Sequence, residues 1–192
     1  MRNDKYEITN NIIMVGETKL YQIRALKDIS FRYGKVKAGE LGGFVESEKN
    51  LSHEGESWIA NNAKVYGSAY VTDNACVFGN AQVYGSACVC GKAAAYGDAQ
   101  VYGSAQVSGS AFITGTAKVS ENTKVCGKAG VYGNAQVYGS ACVCGRAGVY
   151  GNAQVHGNAQ VSGSACVFGD ACVFGDAYVF GDTCVSGDAC IW

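Results

Sequence analysis

Two residue types in this chain could do chemistry: ten cysteines, and two histidines at positions 53 and 156. An imidazole can act as a general base or a metal ligand, and a thiolate is both a nucleophile and a soft-metal ligand. Four thiols come as two close pairs, in Cys88-Val89-Cys90 and Cys142-Val143-Cys144. Zinc sites usually need more than one such pair, with the cysteines on turns. Whether these residues can form a site depends on the elements that hold them.

A six-residue repeat positions almost all of these residues. From Gly55 to the last residue, the chain divides into 23 units of Gly-polar-Ala-x-Val-x without an insertion or deletion, as in residues 79–84 (GNAQVY). Residues two apart on a strand face the same side, so the Ala and Val positions would line an interior. Gly followed by Asn, Asp or Ser suits a tight corner. The unit therefore predicts a strand and a corner every six residues.

A longer repeat indicates the number of sides. Residues 79–96, which span three units, recur at 133–150 with 15 of 18 positions identical. The offset between the two segments is nine units, so a three-sided coil of three units would place them on the same faces, three coils apart. We therefore predict an all-β protein: a single-stranded parallel β-helix of triangular section with an 18-residue coil, and with about seven to eight coils over residues 55–192. Proline, which would remove a ladder hydrogen bond, is absent from the sequence.

Residues 1–54 lack the repeat, and we predict a small β-rich cap with an irregular first coil. Alternating patterns over Tyr6–Thr9, Ile12–Val15 and Leu20–Leu26 favour short antiparallel strands, with a turn at residues 16–18. Val45 and Leu51 stand six residues apart, so the first coil is expected to begin there. The expected role of the cap is to cover the first coil, because an open strand edge recruits other chains.

Composition and charge exclude several classes of function. The formal net charge is −1, which provides no basic field for nucleic acid. Apolar runs are only a few residues long, too short for a transmembrane helix, and the first residues have no apolar signal core. We therefore expect a cytoplasmic protein with no nucleic-acid or membrane partner. In that compartment the ten cysteines are expected to be reduced rather than paired in disulfides.

The repeated units resemble those of the hexapeptide-repeat superfamily, and in particular the loop-free bacterial and prophage proteins with VYGNAxVYGNA runs, which are labelled transferases or polymer-forming proteins. Residues 20–26, 36–45 and 50–52 resemble the lead-in segment of those proteins. The resemblance covers nearly the whole chain and implies a left-handed coil, whereas most crossovers between parallel strands are right-handed. It also implies an acyltransferase activity, with a catalytic histidine beside a loop that interrupts the coils, often between subunits of a trimer.

The chain departs from that acyltransferase pattern. No loop interrupts the units between residues 55 and 192, and the only histidines are His53 and His156. We interpret His156 as a stacked surface residue and His53 as part of the irregular first coil, and we predict no enzyme activity, no catalytic residue and no cofactor.

The cysteines are interpreted as small apolar fillers of the surface ladder. The two close pairs would lie three coils apart, roughly 14 Å, which is too far to share an ion. Thiols one coil apart, such as Cys126 and Cys144, have parallel Cβ directions that suit a disulfide poorly. We therefore predict no metal site, and we expect every cysteine to point outward with none buried.

Outward residues recur once per coil and so form columns. One column is mostly aromatic, and four of the eight residues of its neighbour are glutamine. Such columns stabilise a ladder by stacking and amide hydrogen bonds, and an exposed aromatic column can also dock a protein or a glycan; both interpretations stay open. The candidate binding surface, the Tyr/Gln face, consists of Tyr66, Tyr84, Tyr102, Tyr138, His156, Phe174, Gln82, Gln100, Gln136 and Gln154.

The C-terminal coil is a second candidate surface. It is expected to present unpaired strand edges without a polar cap, and such edges recruit another chain. Residues 147–192 also carry four aspartates and no Lys or Arg. We predict a homodimer joined end to end by a two-fold contact. Its self-association surface consists of Phe174, Phe180, Asp188, Ile191 and Trp192.

The sequence as a whole favours a non-enzymatic β-helical scaffold or binding protein that acts through the Tyr/Gln face and the C-terminal coil, in protein–protein interaction or self-assembly. One alternative is an acyl or sugar transferase of the hexapeptide-repeat type. Another is a prophage-encoded inhibitor of a host or defence protein, which the resemblance to prophage proteins allows.

Overall fold

The computed structural model describes residues 5–192, which form a parallel β-helix of about 8 coils of about 18 residues, joined to a mixed sheet at the N-terminus. The N-terminal elements are β1 (Tyr6–Val15), β2 (Thr18–Ala25), β3 (Ile29–Phe31), β4 (Gly34–Val36), β5 (Leu41–Val45) and a 3-10 turn (Glu48–Asn50). Every later strand is two residues long and begins six residues after the one before it. The predicted fold is therefore confirmed.

The two-residue strands form three faces. Face 1 contains β7 (Lys64–Val65), β10 (Gln82–Val83), β13 (Gln100–Val101), β16 (Lys118–Val119), β19 (Gln136–Val137), β22 (Gln154–Val155), β25 (Cys172–Val173) and β28 (Cys190–Ile191). Face 2 contains β8 (Tyr70–Val71), β11 (Cys88–Val89), β14 (Gln106–Val107), β17 (Lys124–Val125), β20 (Cys142–Val143), β23 (Gln160–Val161) and β26 (Tyr178–Val179). Face 3 contains β6 (Trp58–Ile59), β9 (Cys76–Val77), β12 (Ala94–Ala95), β15 (Phe112–Ile113), β18 (Gly130–Val131), β21 (Gly148–Val149), β24 (Cys166–Val167) and β27 (Cys184–Val185).

The strands stack in register, each on the third strand that follows it in the chain. Gln82 and Val83 pair with Gln100 and Val101, for example, in a parallel ladder. The Ala and Val positions of the repeat point inward and are fully buried through most of the length. At residue 123, where the repeat has Thr instead of Ala, the buried hydroxyl donates a hydrogen bond to the Ser120 carbonyl at 2.9 Å. The interior is thus the dry apolar core that the two-residue spacing predicts.

Each corner of the coil places its first residue in the left-handed region of backbone space. This residue is usually Gly, as at Gly115 with φ of 71°. Asp73 and Glu121 take the same position with φ of 59°. Their carboxylates accept hydrogen bonds from the backbone N–H of the corner glycine one coil further on, at 2.8 and 2.9 Å respectively. Successive corners also stack closely, so the corner residue must fit against the next corner as well as adopt a positive φ.

Substituting Ala for Gly at a corner is expected to destabilise the coil for two reasons: the positive φ and the contact of the new Cβ with the next corner. At Gly115 a Cβ would lie 2.7 Å from the Gly133 carbonyl oxygen, and φ is positive. At Gly181 φ is also positive, but no atom lies within 4 Å of that Cβ. Chemical denaturation should show a loss of about 2–4 kcal/mol for Gly115→Ala and about 1–2 kcal/mol for Gly181→Ala. Equal losses would show that the stacked corners do not restrict the side chain.

The N-terminal strands extend face 1. The antiparallel pair β1 and β2 is joined at the predicted turn, β2 pairs antiparallel with β5, and β5 pairs parallel with β7. Val45 stacks on Val65, and Leu51 bridges to Val71, so the first coil begins where the sequence indicates. Tyr6–Thr9 and Ile12–Val15, predicted as separate strands, belong to the single strand β1, whose register shifts between Ile8 and Ile12.

A second hairpin, formed by β3 and β4, folds against the side of the coils. Tyr33, at its tip, contacts the rings of Phe78 and Tyr96 with centroids 5.4 and 5.9 Å apart. Beneath this hairpin the Cys76 side chain is 1% exposed. The expectation that no cysteine is buried is therefore wrong at Cys76, because a segment outside the repeat covers this part of face 3.

Helical structure is minor in the described chain. Within residues 5–192 the 3-10 turn Glu48–Asn50 is the one helical segment, far below the length that a membrane-crossing helix requires.

Candidate functional site

The aromatic column of the Tyr/Gln face is built by the register of the coils. Tyr66, Tyr84 and Tyr102 each follow a face 1 strand, and their rings stack with centroids 5.1 and 5.0 Å apart and planes within 4°. Further along, His156 stacks between Tyr138 and Phe174, at 4.7 and 5.4 Å. The rings are half-buried, since each covers part of its neighbours. The structure therefore brings the predicted aromatic residues together as two stacks of three.

Glutamines flank both stacks and bond to them. The Tyr66 hydroxyl donates to the Gln82 side-chain oxygen at 3.5 Å, and the Tyr138 hydroxyl donates to that of Gln154 at 3.2 Å. Burial raises the pKa of the Tyr66 and Tyr138 phenols, so both remain neutral donors. The face is thus a surface of half-buried rings in which two of the tyrosine hydroxyls bond to neighbouring glutamines.

The two stacks are separated by one missing ring. Ser120 occupies the column between Tyr102 and Tyr138, and a hollow of about 220 Å³ opens there. Its walls are formed by Tyr102, Lys118, Ser120, Glu121, Gln136 and Tyr138. This hollow interrupts the aromatic column at Ser120.

His156 has a second contact that sequence reasoning did not predict. Its Nε2 lies 3.5 Å from the Cys172 sulfur, which is within the distance of a nucleophile and its base. An activated thiol needs a lowered pKa. Burial and the neighbouring Cys190 instead raise the pKa of Cys172. The raised pKa of Cys172 disfavours its thiolate, and His156 lies stacked between Tyr138 and Phe174.

His53 lies in the packing of the first coil. Its ring stacks on Tyr6 with centroids 4.3 Å apart and planes within 3°, and its Nδ1 accepts a hydrogen bond from the Lys5 backbone N–H at 3.2 Å. The Lys5 ammonium is buried beside it and donates to the carbonyl and hydroxyl oxygens of Ser57 at 2.7 and 2.9 Å. These contacts hold the start of the N-terminal strand against the coil.

Several large apolar side chains of the C-terminal coil are exposed. Phe180 is 67% exposed, Trp192 is 82% exposed, and Ile191 is 37% exposed although it occupies an inward position. Phe174 stacks under Trp192 at 6.3 Å. Asp188 is exposed nearby. The five predicted residues thus lie in the last two coils, but their side chains belong to different faces.

The cysteines are all free thiols, and three of them form a cluster on face 2. The sulfur atoms of Cys126, Cys142 and Cys144 all lie within 4.8 Å of one another. The sequence places Cys142 beside Cys144 along the strand and Cys126 beside Cys144 between coils, and the cluster arises where these two spacings meet. The signal was present, since residues two apart on a strand and residues one coil apart share one surface.

Neither of two comparisons with known proteins identifies this chain. No known protein family matches it, and no curated protein matches it. The fold and the geometry of its faces therefore carry the functional argument.

Proposed function

We propose that this protein is a non-enzymatic β-helical scaffold that binds through the Tyr/Gln face and self-associates through its C-terminal coil. The observation that carries the proposal is the unbroken register of 23 strands, one every six residues, in which no coil is interrupted by a loop. Such a prism offers flat faces of fixed spacing rather than an enclosed cleft. Enzyme sites, in contrast, generally require a concave pocket with convergent polar groups.

Membership of the hexapeptide-repeat superfamily, with left-handed winding, is part of the proposal. It rests on the Gly-x-Ala-x-Val-x units and on the 18-residue coil. We also propose a cytoplasmic location, which is compatible with ten free thiols.

The transferase alternative is disfavoured by both histidines. His53 has its Nδ1 engaged by the Lys5 amide, and His156 lies between two rings beside a thiol of raised pKa. An assay of CoA release from acetyl-CoA with common acceptors tests this alternative. We expect no turnover, and turnover that His53→Ala or His156→Ala abolishes would contradict the scaffold proposal.

Self-association is tested by light scattering after size exclusion. Phe180 and Trp192 are exposed on different faces of the C-terminal coil, so charges there disrupt an end-to-end contact without entering the core. We expect wild type to have twice the mass of the 20.0 kDa chain. The double variant Phe180→Asp/Trp192→Lys should elute as a monomer at tens of micromolar.

A matched control is available in the same columns of an early coil. Thr72 and Tyr84 stand six coils before Phe180 and Trp192, so Thr72→Asp/Tyr84→Lys places the same charges on the same faces. This control should remain dimeric. A monomeric wild type would overturn the proposed dimer. If only the Thr72→Asp/Tyr84→Lys control becomes monomeric, the interface lies on the Tyr/Gln face instead.

A further inference from the structure

The three-thiol cluster on face 2 has the donor set of a metal site. Cys142 and Cys144 flank Val143 on one coil, and Cys126 lies one coil below Cys144. The Cys126 sulfur lies within 4.8 Å of the sulfurs of both other residues. All three side chains are half-exposed, so an ion could reach them from solvent. Adjacent coils thus supply three converging sulfurs on a rigid ladder.

The distances suit a small thiophilic ion. A zinc–sulfur bond of about 2.3 Å in tetrahedral geometry sets the sulfur atoms about 3.8 Å apart. The observed sulfur–sulfur separations are up to 4.8 Å, and small rotations of the side chains would reduce them to that value. Thiolate donors select soft or borderline cations over Mg²⁺ and Ca²⁺. A site with three protein ligands leaves a fourth position for water.

Burial and a neighbouring cation act on the thiols in opposite directions. Burial has the larger effect and raises the pKa of Cys142 to about 11. Lys124, the register neighbour of Cys142, opposes burial by lowering the pKa of both Cys126 and Cys142. Binding would replace three S–H bonds by three sulfur–metal bonds, with the protons released to solvent. The Lys124 ammonium would then lie beside the thiolates.

We propose that Cys126, Cys142 and Cys144 bind one Zn²⁺ ion as three thiolates, with the fourth position open to water. The other thiol groupings on the described chain offer fewer converging sulfurs. Cys88 and Cys90 repeat the geometry of Cys142 and Cys144 on the same face three coils earlier, but Thr72 stands where Cys126 would be. The third cysteine is what distinguishes the proposed site.

The test is a titration of the reduced, metal-free full chain with Zn²⁺, in competition with a chromogenic zinc chelator under anaerobic conditions. We expect wild type to take up one equivalent tightly. Cys126→Ser should weaken that binding by at least about a hundredfold, since losing a ligand costs more than losing its outer support. Serine occupies the same column at Ser108 and Ser162, so this variant keeps a side chain native to the column.

Two further variants make the outcome decisive. Cys90→Ser removes a thiol from the two-cysteine copy and should leave zinc binding unchanged. Tyr70→Lys/Thr72→Cys reproduces Lys124 and Cys126 at that copy and should add a second tight equivalent. No uptake by wild type, unchanged binding in Cys126→Ser, equal weakening in Cys90→Ser, or no second equivalent in the double variant would each overturn the three-thiolate site.

Discussion

Val101→Asp is expected to unfold the protein or to fray its coils on both sides of the substitution. Val101 is 0% exposed and stacks between Val83 and Val119, so the new carboxylate would meet no polar partner. Removing an unpaired charge from water, or protonating it to avoid that cost, takes several kcal/mol, at least about 3 kcal/mol here. That is a large part of the ~5–15 kcal/mol that stabilises a typical domain.

The control for this substitution is Val101→Ile. Ile113 occupies the same position of the repeat and is fully buried, so the core accepts the extra methylene at such a site. Thermal denaturation followed by circular dichroism should show a nearly unchanged transition for Val101→Ile and a lost or strongly lowered one for Val101→Asp. Equal melting temperatures for Val101→Asp and wild type would contradict the inward register of the Val positions.

Alkaline pH is expected to destabilise the fold through the buried Cys76. Burial under the β3–β4 hairpin raises the pKa of this thiol from 9.0 to about 12, against a smaller opposing effect of Arg32. A group whose pKa is higher in the folded state contributes stability that is complete below pH 9 and is lost as the pH rises toward 12. At pH 11 the loss from this one thiol should be about 2–3 kcal/mol.

The contribution of Cys76 is isolated by a difference between variants. Ala94 occupies the same column one coil later, so Cys76→Ala leaves a side chain already found beside that position. Urea denaturation at pH 7 and at pH 11 should show a smaller alkaline loss in Cys76→Ala than in wild type. Cys166→Ala, in the same column, removes a half-exposed thiol whose pKa burial raises less than that of Cys76, so its alkaline loss should stay closer to that of wild type. Parallel losses in all three proteins would show that Cys76 is not the cause.

The repeat predicts the coil because its two spacings, two residues from Ala to Val and 18 residues per coil, each have a structural consequence. Ala and Val two residues apart must face the same side of a strand. A coil of three equal units must place each position of the repeat on the same position of the next coil. Every strand from Trp58 onward and every aromatic column therefore follows from the sequence. The side hairpin does not follow, because Tyr33 lies outside the repeat and nothing in its pattern indicates which coil it covers. Cys76 is buried for that reason although it occupies an outward position.

The candidate site is predictable only in part. The stacking of Tyr84 between Tyr66 and Tyr102 follows directly from the column they share. The thiol cluster required the strand spacing and the coil spacing to be applied together, and the contact of His156 with Cys172 depends on how the side chains turn. Side-chain orientation between neighbouring columns is set by packing, which a one-dimensional pattern does not contain.

The near-identity of residues 79–96 and 133–150 has a genetic consequence. Recombination between the two encoding segments would delete or duplicate three whole coils, which is about 14 Å of length. Because the ladder returns to the same register once per coil, Gly133 could follow Phe78 directly and each face would remain continuous. Such a deletion would remove Cys126 and place Thr72 beneath Cys144. A change in gene length would therefore also eliminate the three-thiol cluster.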